Sequence, residues 1–113
     1  MALTEQLLIY NDCYKLLLEI YRITNKFSRE HKYGLGEDIK QQTFSLFLYI
    51  YKANLTEDKE KYLLEFLEAF AILKLKIRLC KDMNLISTKT MVVLVEIMNK
   101  IGKQATAWKN KRK

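Results

Sequence analysis

The 113-residue chain contains no proline and only three glycines, Gly34, Gly36 and Gly102. These two residue types end helices and form tight turns, so a chain this poor in them favours long uninterrupted helices over a sheet. Half of the residues are apolar, and the length suits a core in one domain but not in two. The sequence therefore predicts an all-α fold in a single domain, residues 1–113.

Apolar periodicity predicts four helices, at about residues 5–27, 37–54, 57–83 and 88–109. The longest irregular connection, residues 28–36, carries two of the glycines. Thr56 and Ser87 stand where the third and fourth helices begin, and hydroxyl side chains are good N-caps. Short connections between helices of similar length predict an antiparallel up-down-up-down four-helix bundle.

The predicted third helix changes character halfway. A stripe of charged residues starts at Lys61 in its first half, and a basic stripe of Lys74, Arg78 and Lys81 follows in its second half. Lys74 comes thirteen residues after Lys61, which at about 100° per residue rotates the second stripe by roughly 220°. Apolar residues occupy the side that was polar in the first half: Ile72, Leu75 and Leu79. We expect self-association to cover this surplus apolar surface.

The predicted first helix also carries more apolar surface than one neighbour can cover, because two adjacent apolar stripes run along it. One stripe is rich in tyrosine, whose ring can be buried while its hydroxyl stays in water. The predicted interface of a homo-oligomer contains Tyr10, Tyr14, Leu75, Leu79 and Trp108. The number of copies stays open at this point, since a wide apolar stripe suits dimers as well as larger assemblies.

The net charge of +7 is unevenly distributed. Residues 1–34 hold five basic and four acidic side chains, residues 35–68 hold four and seven, and residues 69–113 hold eleven and two. A localised positive field attracts polyanions, chiefly RNA, DNA or an acidic protein surface. The predicted nucleic-acid contacts are Lys74, Arg78, Lys81, Lys100, Lys103, Lys109, Lys111 and Arg112.

Two other interpretations of these basic residues stay open. Lysine is a common solubilising residue on helix faces. The stems of the basic stripe that starts at Lys74 could also pack between subunits, with their charged ends paired to Glu65 or Glu68 of a neighbouring copy. The scarcity of acidic residues after residue 68 favours contact with phosphate or with an acidic partner.

No group of residues in the sequence has the composition of an active site. His31 is the sole histidine, which leaves no second imidazole for a metal site and no nucleophile beside it to activate. Gly34 and Gly36 follow a predicted helix instead of a strand, which disfavours a nucleotide-binding loop. We expect a binding or assembly protein without enzymatic activity, metal or cofactor.

The sequence also indicates the compartment. Residues 1–5 lack a basic leader followed by a continuous apolar run, and no window reaches about 18 uncharged apolar residues. Cys13 and Cys80 stand within apolar helical patterns and form no Cys-x-x-Cys pair, as expected of reduced structural cysteines. We expect a cytoplasmic protein without a membrane partner.

Several stretches of the chain resemble a family of small four-helix-bundle proteins. Residues 27–39 are similar to the family's Phe-Pro-Arg/Lys segment, which leads through Gly/Thr-Leu-Gly into the second helix. Residues 78–83, 86–87 and 97–109 are similar to its C-terminal part, which carries Ile-Gly-Arg and Gly-Trp signatures. The family includes the accessory variability determinant (Avd) of diversity-generating retroelements. A sibling branch contains the proteins encoded in intervening sequences of 23S ribosomal RNA genes.

The chain departs from both branches at identifiable positions. Ser28 stands where the family usually has proline, and residues 104–107 lack the glycine that Avd proteins tend to carry before the tryptophan. The ribosomal branch has a proline-containing Ser-Ile-Pro-Ala-Asn segment in its second helix, whereas residues 47–54 contain no proline. The resemblance is therefore stronger to the Avd branch.

Resemblance to Avd implies a basic homopentameric barrel that binds the retroelement's reverse transcriptase and its template RNA during mutagenic cDNA synthesis. Arg78 and Lys81 fall on basic positions of the family pattern. The sibling branch implies a different role, that of a structural helical bundle acting through protein–protein contacts.

Overall fold

Four long helices and one short helix make up the computed structural model, which describes residues 3–111, with side chains from residue 7 onward. The long helices are α1 (Leu3–Thr24), α3 (Leu35–Leu55), α4 (Lys59–Asp82) and α5 (Thr88–Asn110), and the short one is α2 (Arg29–Lys32). No strand occurs among residues 3–111. The predicted all-α class is confirmed.

The helix ends differ from the predicted ones where local hydrogen bonds intervene. α1 ends at Thr24, three residues before the predicted end, and the predicted irregular connection contains the single turn of α2. Thr56 was wrongly predicted as an N-cap: its Oγ1 accepts from the backbone N–H of Asp58 at 3.1 Å, and Asp58 itself precedes the first residue of α4. Ser87 is confirmed as the N-cap of α5, because its Oγ accepts from the N–H of Thr90 at 3.1 Å.

The connection from α4 to α5 is set by one residue with a left-handed backbone. Asn84 has φ of 64°, and its N–H donates to the Lys81 carbonyl at 3.0 Å. The next N–H, that of Leu85, reaches back to the Cys80 carbonyl at 2.9 Å. This pair of bonds is the Schellman arrangement that satisfies the last carbonyls of a helix, and asparagine tolerates its left-handed position better than most residues. The chain therefore turns sharply enough for α5 to pack on α4.

The core lies between the four long helices. Packing joins α1 to α3, α3 to α4, α4 to α5 and α5 to α1, so each long helix contacts two others. On α4 one buried stripe runs the whole length of the helix, and its members are Leu63, Phe66, Phe70, Leu73, Ile77 and Cys80. The buried face therefore does not rotate along α4. The switch from charged to apolar residues that the sequence indicates occurs on the outward side of α4.

Side-chain hydrogen bonds fix how the helices align. Gln42 on α3 donates through Nε2 to the carbonyl of Ala69 on α4 at 3.0 Å, and its Oε1 accepts from Lys76 at 3.2 Å. Gln104 on α5 donates to the buried carboxylate of Asp12 on α1 at 2.8 Å. Both contacts join residues more than 25 positions apart in the chain. They therefore hold neighbouring helices in register, which apolar packing alone does weakly.

Gly36 lets the first turn of α3 approach α2 and the end of α1. A Cβ atom at this position would lie 3.1 Å from the His31 carbonyl oxygen and 3.4 Å from the side chains of Phe27 and Thr24. A backbone oxygen cannot move aside as a flexible side chain can. Glycine is therefore the residue that this close approach favours.

None of the helices described between residues 3 and 111 combines the length and the apolarity that crossing a membrane requires.

Candidate nucleic-acid and subunit interfaces

An open groove of about 610 Å³ runs between α4 and α5. α4 supplies one wall and α5 the other, and the lining residues are Leu67, Phe70, Lys74, Met98, Asn99, Gly102, Lys103, Thr106 and Ala107. Two lysines line it, and no carboxylate does. The groove is therefore a positively charged recess with an apolar floor.

Lys74 and Lys103 come to this groove from different helices, although 28 residues separate them in the sequence. Nζ of Lys74 lies 5.1 Å from the centre of the Phe70 ring, so the ammonium rests over an aromatic face. The side chain of Lys103 is exposed. Neither lysine pairs with a carboxylate among the residues that the structure describes, so both can bind an external anion.

The other members of the predicted basic stripe of α4 lie outside the groove. Nε of Arg78 lies 3.8 Å from Oδ2 of Asp82 one turn later, and both side chains are largely exposed. An exposed pair of this length contributes little to stability, so the guanidinium is available to other anions. Lys81 is half-buried.

The basic residues predicted on α5 and beyond have different surroundings. Lys100 is exposed and, like Lys103, forms no ion pair with a described residue. Lys109 is half-buried, and its Nζ donates to Oδ1 of Asn110 at 3.2 Å. Lys111 is exposed just beyond the end of α5. Arg112 lies outside the described residues.

Ion pairs are concentrated on the other two long helices. Lys15 pairs with Asp12 at 3.8 Å and Arg22 with Glu19 at 2.7 Å on α1, and Lys40 pairs with Glu37 at 2.9 Å on α3. Much of the positive charge of α1 and α3 is therefore balanced locally. The positive charges of the two groove lysines, Lys74 and Lys103, are not balanced by an ion pair with a described residue.

An aromatic surface covers the junction of α1 and α3. The rings of Tyr10 and Phe47 meet edge to face with centres 5.3 Å apart, and those of Tyr21 and Phe44 do so at 6.3 Å. We call the exposed side chains here the α1–α3 face: Tyr10, Tyr14, Leu18, Tyr21, Phe44, Leu48 and Tyr51. Two of the predicted interface residues, Tyr10 and Tyr14, belong to it.

A second apolar surface runs along the outward side of α4. We call it the α4 stripe, and its exposed members are Leu64, Ile72, Leu75 and Leu79. Leu75 is 61% exposed, a large fraction for a leucine in the middle of a long helix. The stripe includes Ile72, Leu75 and Leu79, the three apolar residues that occupy the side of the helix that is charged in its first half.

Trp108, also predicted to lie in the subunit interface, belongs to neither of these apolar surfaces. It is only 3% exposed and packs in the core of its own chain, so it has almost no surface to offer another copy. Its indole Nε1 and the Oε1 of Gln104, one turn earlier on α5, are buried without hydrogen-bond partners. The correction arises because the apolar seam of α5 points inward along its full length.

Sequence reasoning missed two features of these surfaces. One is the exposed apolar row on α3, whose signal is the helical spacing of Phe44, Leu48, Tyr51 and Leu55. The other is Gly102, which stands in the middle of α5 and lines the groove. Its signal is a glycine inside an otherwise clean helical pattern.

The two cysteines of the chain, Cys13 and Cys80, are buried. Burial raises the pKa of the Cys13 thiol to about 12, with the nearby Asp12 carboxylate contributing, and burial raises that of Cys80 to about 11. Both thiols are therefore protonated and inert near neutral pH. No cluster of three or more metal-ligating side chains occurs among the residues searched.

Comparison with known proteins gives one family and no individual relative. A family model described as bAvd-like matches residues 7–112. No curated protein and no solved structure matches the chain. The family match confirms the resemblance to Avd that the sequence motifs indicate. Because the match covers nearly the whole chain, the protein belongs to the bAvd-like family.

Proposed function

We propose that the protein is an accessory subunit of a diversity-generating retroelement that binds the template RNA and the reverse transcriptase. Family membership supports an accessory role. The observation that carries nucleic-acid binding is the distribution of charge. α4 and α5 hold ten basic and five acidic residues, whereas α1 and α3 hold four and five. A polyanion would therefore bind on the α4–α5 side.

In this proposal the chain is an antiparallel up-down-up-down bundle. The hydrogen bond from Gln104, in the last third of α5, to Asp12, in the first half of α1, supports opposite directions for these two helices. The short connections between consecutive long helices support opposite directions for the other neighbouring pairs as well.

The proposed assembly is a homo-oligomeric barrel of five copies. A closed ring needs two different surfaces on each copy, because each contact in it is heterologous. The α1–α3 face and the α4 stripe provide two such apolar surfaces. In a ring, several basic faces act on one RNA, and weak contacts to single copies become avid.

Charge reversal on α4 tests the proposal. We expect Arg78→Glu combined with Lys81→Glu to abolish retention of RNA while the mass of the oligomer, measured by light scattering, stays unchanged. The control is Lys26→Glu combined with Arg29→Glu, which makes the same change of charge at the same spacing in the α1–α2 region, where both side chains are exposed. Loss of the oligomer in the α4 variant would assign these residues to subunit packing instead.

The alternative is a structural helical oligomer that acts through protein–protein contacts, as in the sibling ribosomal branch. The exposed apolar side chains on α1, α3 and α4 favour it, because such surfaces bind protein as readily as a second copy. This alternative predicts no salt-sensitive binding to any RNA. The neighbouring DNA separates the two: a reverse transcriptase gene with template and variable repeats supports the retroelement, and a ribosomal RNA gene supports the alternative.

A further inference from the structure

Gly102 occupies a position at which packing does not require glycine. It lies in the middle of α5, where glycine is less favourable than any residue except proline. A Cβ atom there would lie 3.7 Å from Cε2 of Phe70, an ordinary van der Waals distance. Gly36 differs, because its Cβ would meet a backbone oxygen at 3.1 Å. Alanine would therefore fit at residue 102 and would suit the helix better.

The missing side chain widens the groove between α4 and α5. Gly102 is half-buried and lies next to Lys103 on the α5 wall, and Lys74 stands on the α4 wall. Two small hydrogen-bonding side chains, those of Asn99 and Thr106, also line the groove. A helix backbone without a side chain, flanked by cations and polar groups, permits a ligand to approach closely.

We propose that this groove holds a sugar–phosphate segment of single-stranded RNA, with a phosphate bound between Lys74 and Lys103 and a ribose packed against Gly102. The proposal rests on the proposed function and assigns one of its RNA contacts to this groove. The two lysines and the absence of a carboxylate in the lining complement a phosphodiester. Asn99 and Thr106 supply the amide and hydroxyl groups that commonly contact phosphate and sugar.

A single strand fits this recess better than a duplex does. The groove is open to solvent and not enclosed, so a continuous chain can enter and leave it. Its lining comes from two helices, and Gly102 leaves one position of the α5 wall without a side chain. A stiff duplex would present its phosphates to the rim alone and would gain nothing from the space above Gly102.

The test fills the groove without removing charge. Gly102→Leu keeps a good helix former at the site and directs the added atoms into the recess. The probe is a fluorescein-labelled single-stranded RNA of about 30 nucleotides, and its affinity for the full chain is measured by anisotropy from low to high salt. We expect weaker binding, with the slope of log K against log salt reduced by about 0.7, because a single lost single-strand phosphate contact removes that amount.

The pair Lys74→Ala and Lys103→Ala should reduce the slope by the same amount. Adding Gly102→Leu to that pair should have no further effect, because all three changes remove the same contact. The steric control is Val93→Leu, an exposed position of α5 that does not line the groove. The charge control is Lys26→Ala. Both controls should bind RNA as the unaltered protein does.

The outcomes separate this proposal from the proposed function. If the unaltered protein binds no RNA, the proposed function itself fails. If it binds RNA and the groove variants bind equally well, only the groove assignment is overturned. A change of mass in Gly102→Leu would show that the groove receives a neighbouring copy. Displacement of the probe by a free mononucleotide at matched phosphate concentration would show a nucleotide pocket, and either result also overturns the assignment.

Discussion

The α1–α3 pair and the α4–α5 pair share one core but differ on their outward sides. Both pairs contribute buried aliphatic side chains at helical spacing. Outside, α1 and α3 carry aromatic rings and local ion pairs, whereas α4 and α5 carry surplus lysines and an open groove. Folding of the single chain requires only that the inward residues of both pairs be apolar. In the proposed assembly, the outward difference reflects the different partners that the two pairs contact.

The largest effect should come from the core that both pairs share. Leu16→Ala on α1 and Leu94→Ala on α5 each remove a fully buried leucine, so each should lower the free energy of unfolding by about 3 to 5 kcal/mol. Urea denaturation followed by circular dichroism measures this.

Leu75→Ala is the matched control on α4, since Leu75 is exposed. It should change the free energy of unfolding by less than about 1 kcal/mol at low protein concentration, where an oligomer contributes least. A strong effect at one core leucine and none at the other would contradict a single core.

The next effect concerns the apolar surfaces. Leu75→Glu combined with Leu79→Glu places two charges on the α4 stripe, and we expect each subunit contact to weaken by roughly 3 kcal/mol, or about 100-fold. Light scattering over a dilution series measures the mass. Tyr14→Glu combined with Tyr51→Glu tests the α1–α3 face in the same way.

Both double variants should keep their helical signal, because all four side chains are exposed in the single chain. Loss of mass in only one of them would assign the interface to that surface and would replace the heterologous ring by a symmetric contact. Unchanged mass in both would remove self-association from the account.

The smallest effect compares the two glycines that lie within helices. Gly36→Ala, where α3 meets the end of α1, should destabilise the protein by about 1 kcal/mol, because the added Cβ meets the His31 carbonyl. Gly102→Ala, where α5 meets α4, should stabilise it by up to about 1 kcal/mol, because alanine favours the helix and fits the space. Thermal unfolding by circular dichroism measures both. Destabilisation by Gly102→Ala would mean that packing does require this glycine.

The helices and their inward faces could be predicted from the sequence because periodicity records them directly. Ser87 as a cap is local information of the same kind. Leu75 and Leu79 are exposed as predicted, because the outward side of α4 is visible in the pattern once the buried stripe is known. Thr56 was misassigned because a nearby turn competes for its hydroxyl.

Features that depend on two helices could not be predicted in this way. The groove exists only because α5 packs on α4, which brings Lys74 and Lys103 to the lining of one groove. Trp108 was predicted to lie in the subunit interface, but it is buried in its own chain, and that burial depends on the neighbours of α5. The sequence pattern indicates which side of a helix is apolar. The packing of the other helices decides which residues cover that side.

The central claim is that the α4–α5 side binds RNA on an assembled particle. The most direct measurement is binding of the purified protein to a long structured RNA and to a matched duplex DNA across a salt series, with light scattering in the same buffers. We predict tight RNA binding to a particle of ring size, with affinity falling steeply as salt rises. Absence of RNA binding at low salt would contradict the claim and leave a helical scaffold that acts on proteins.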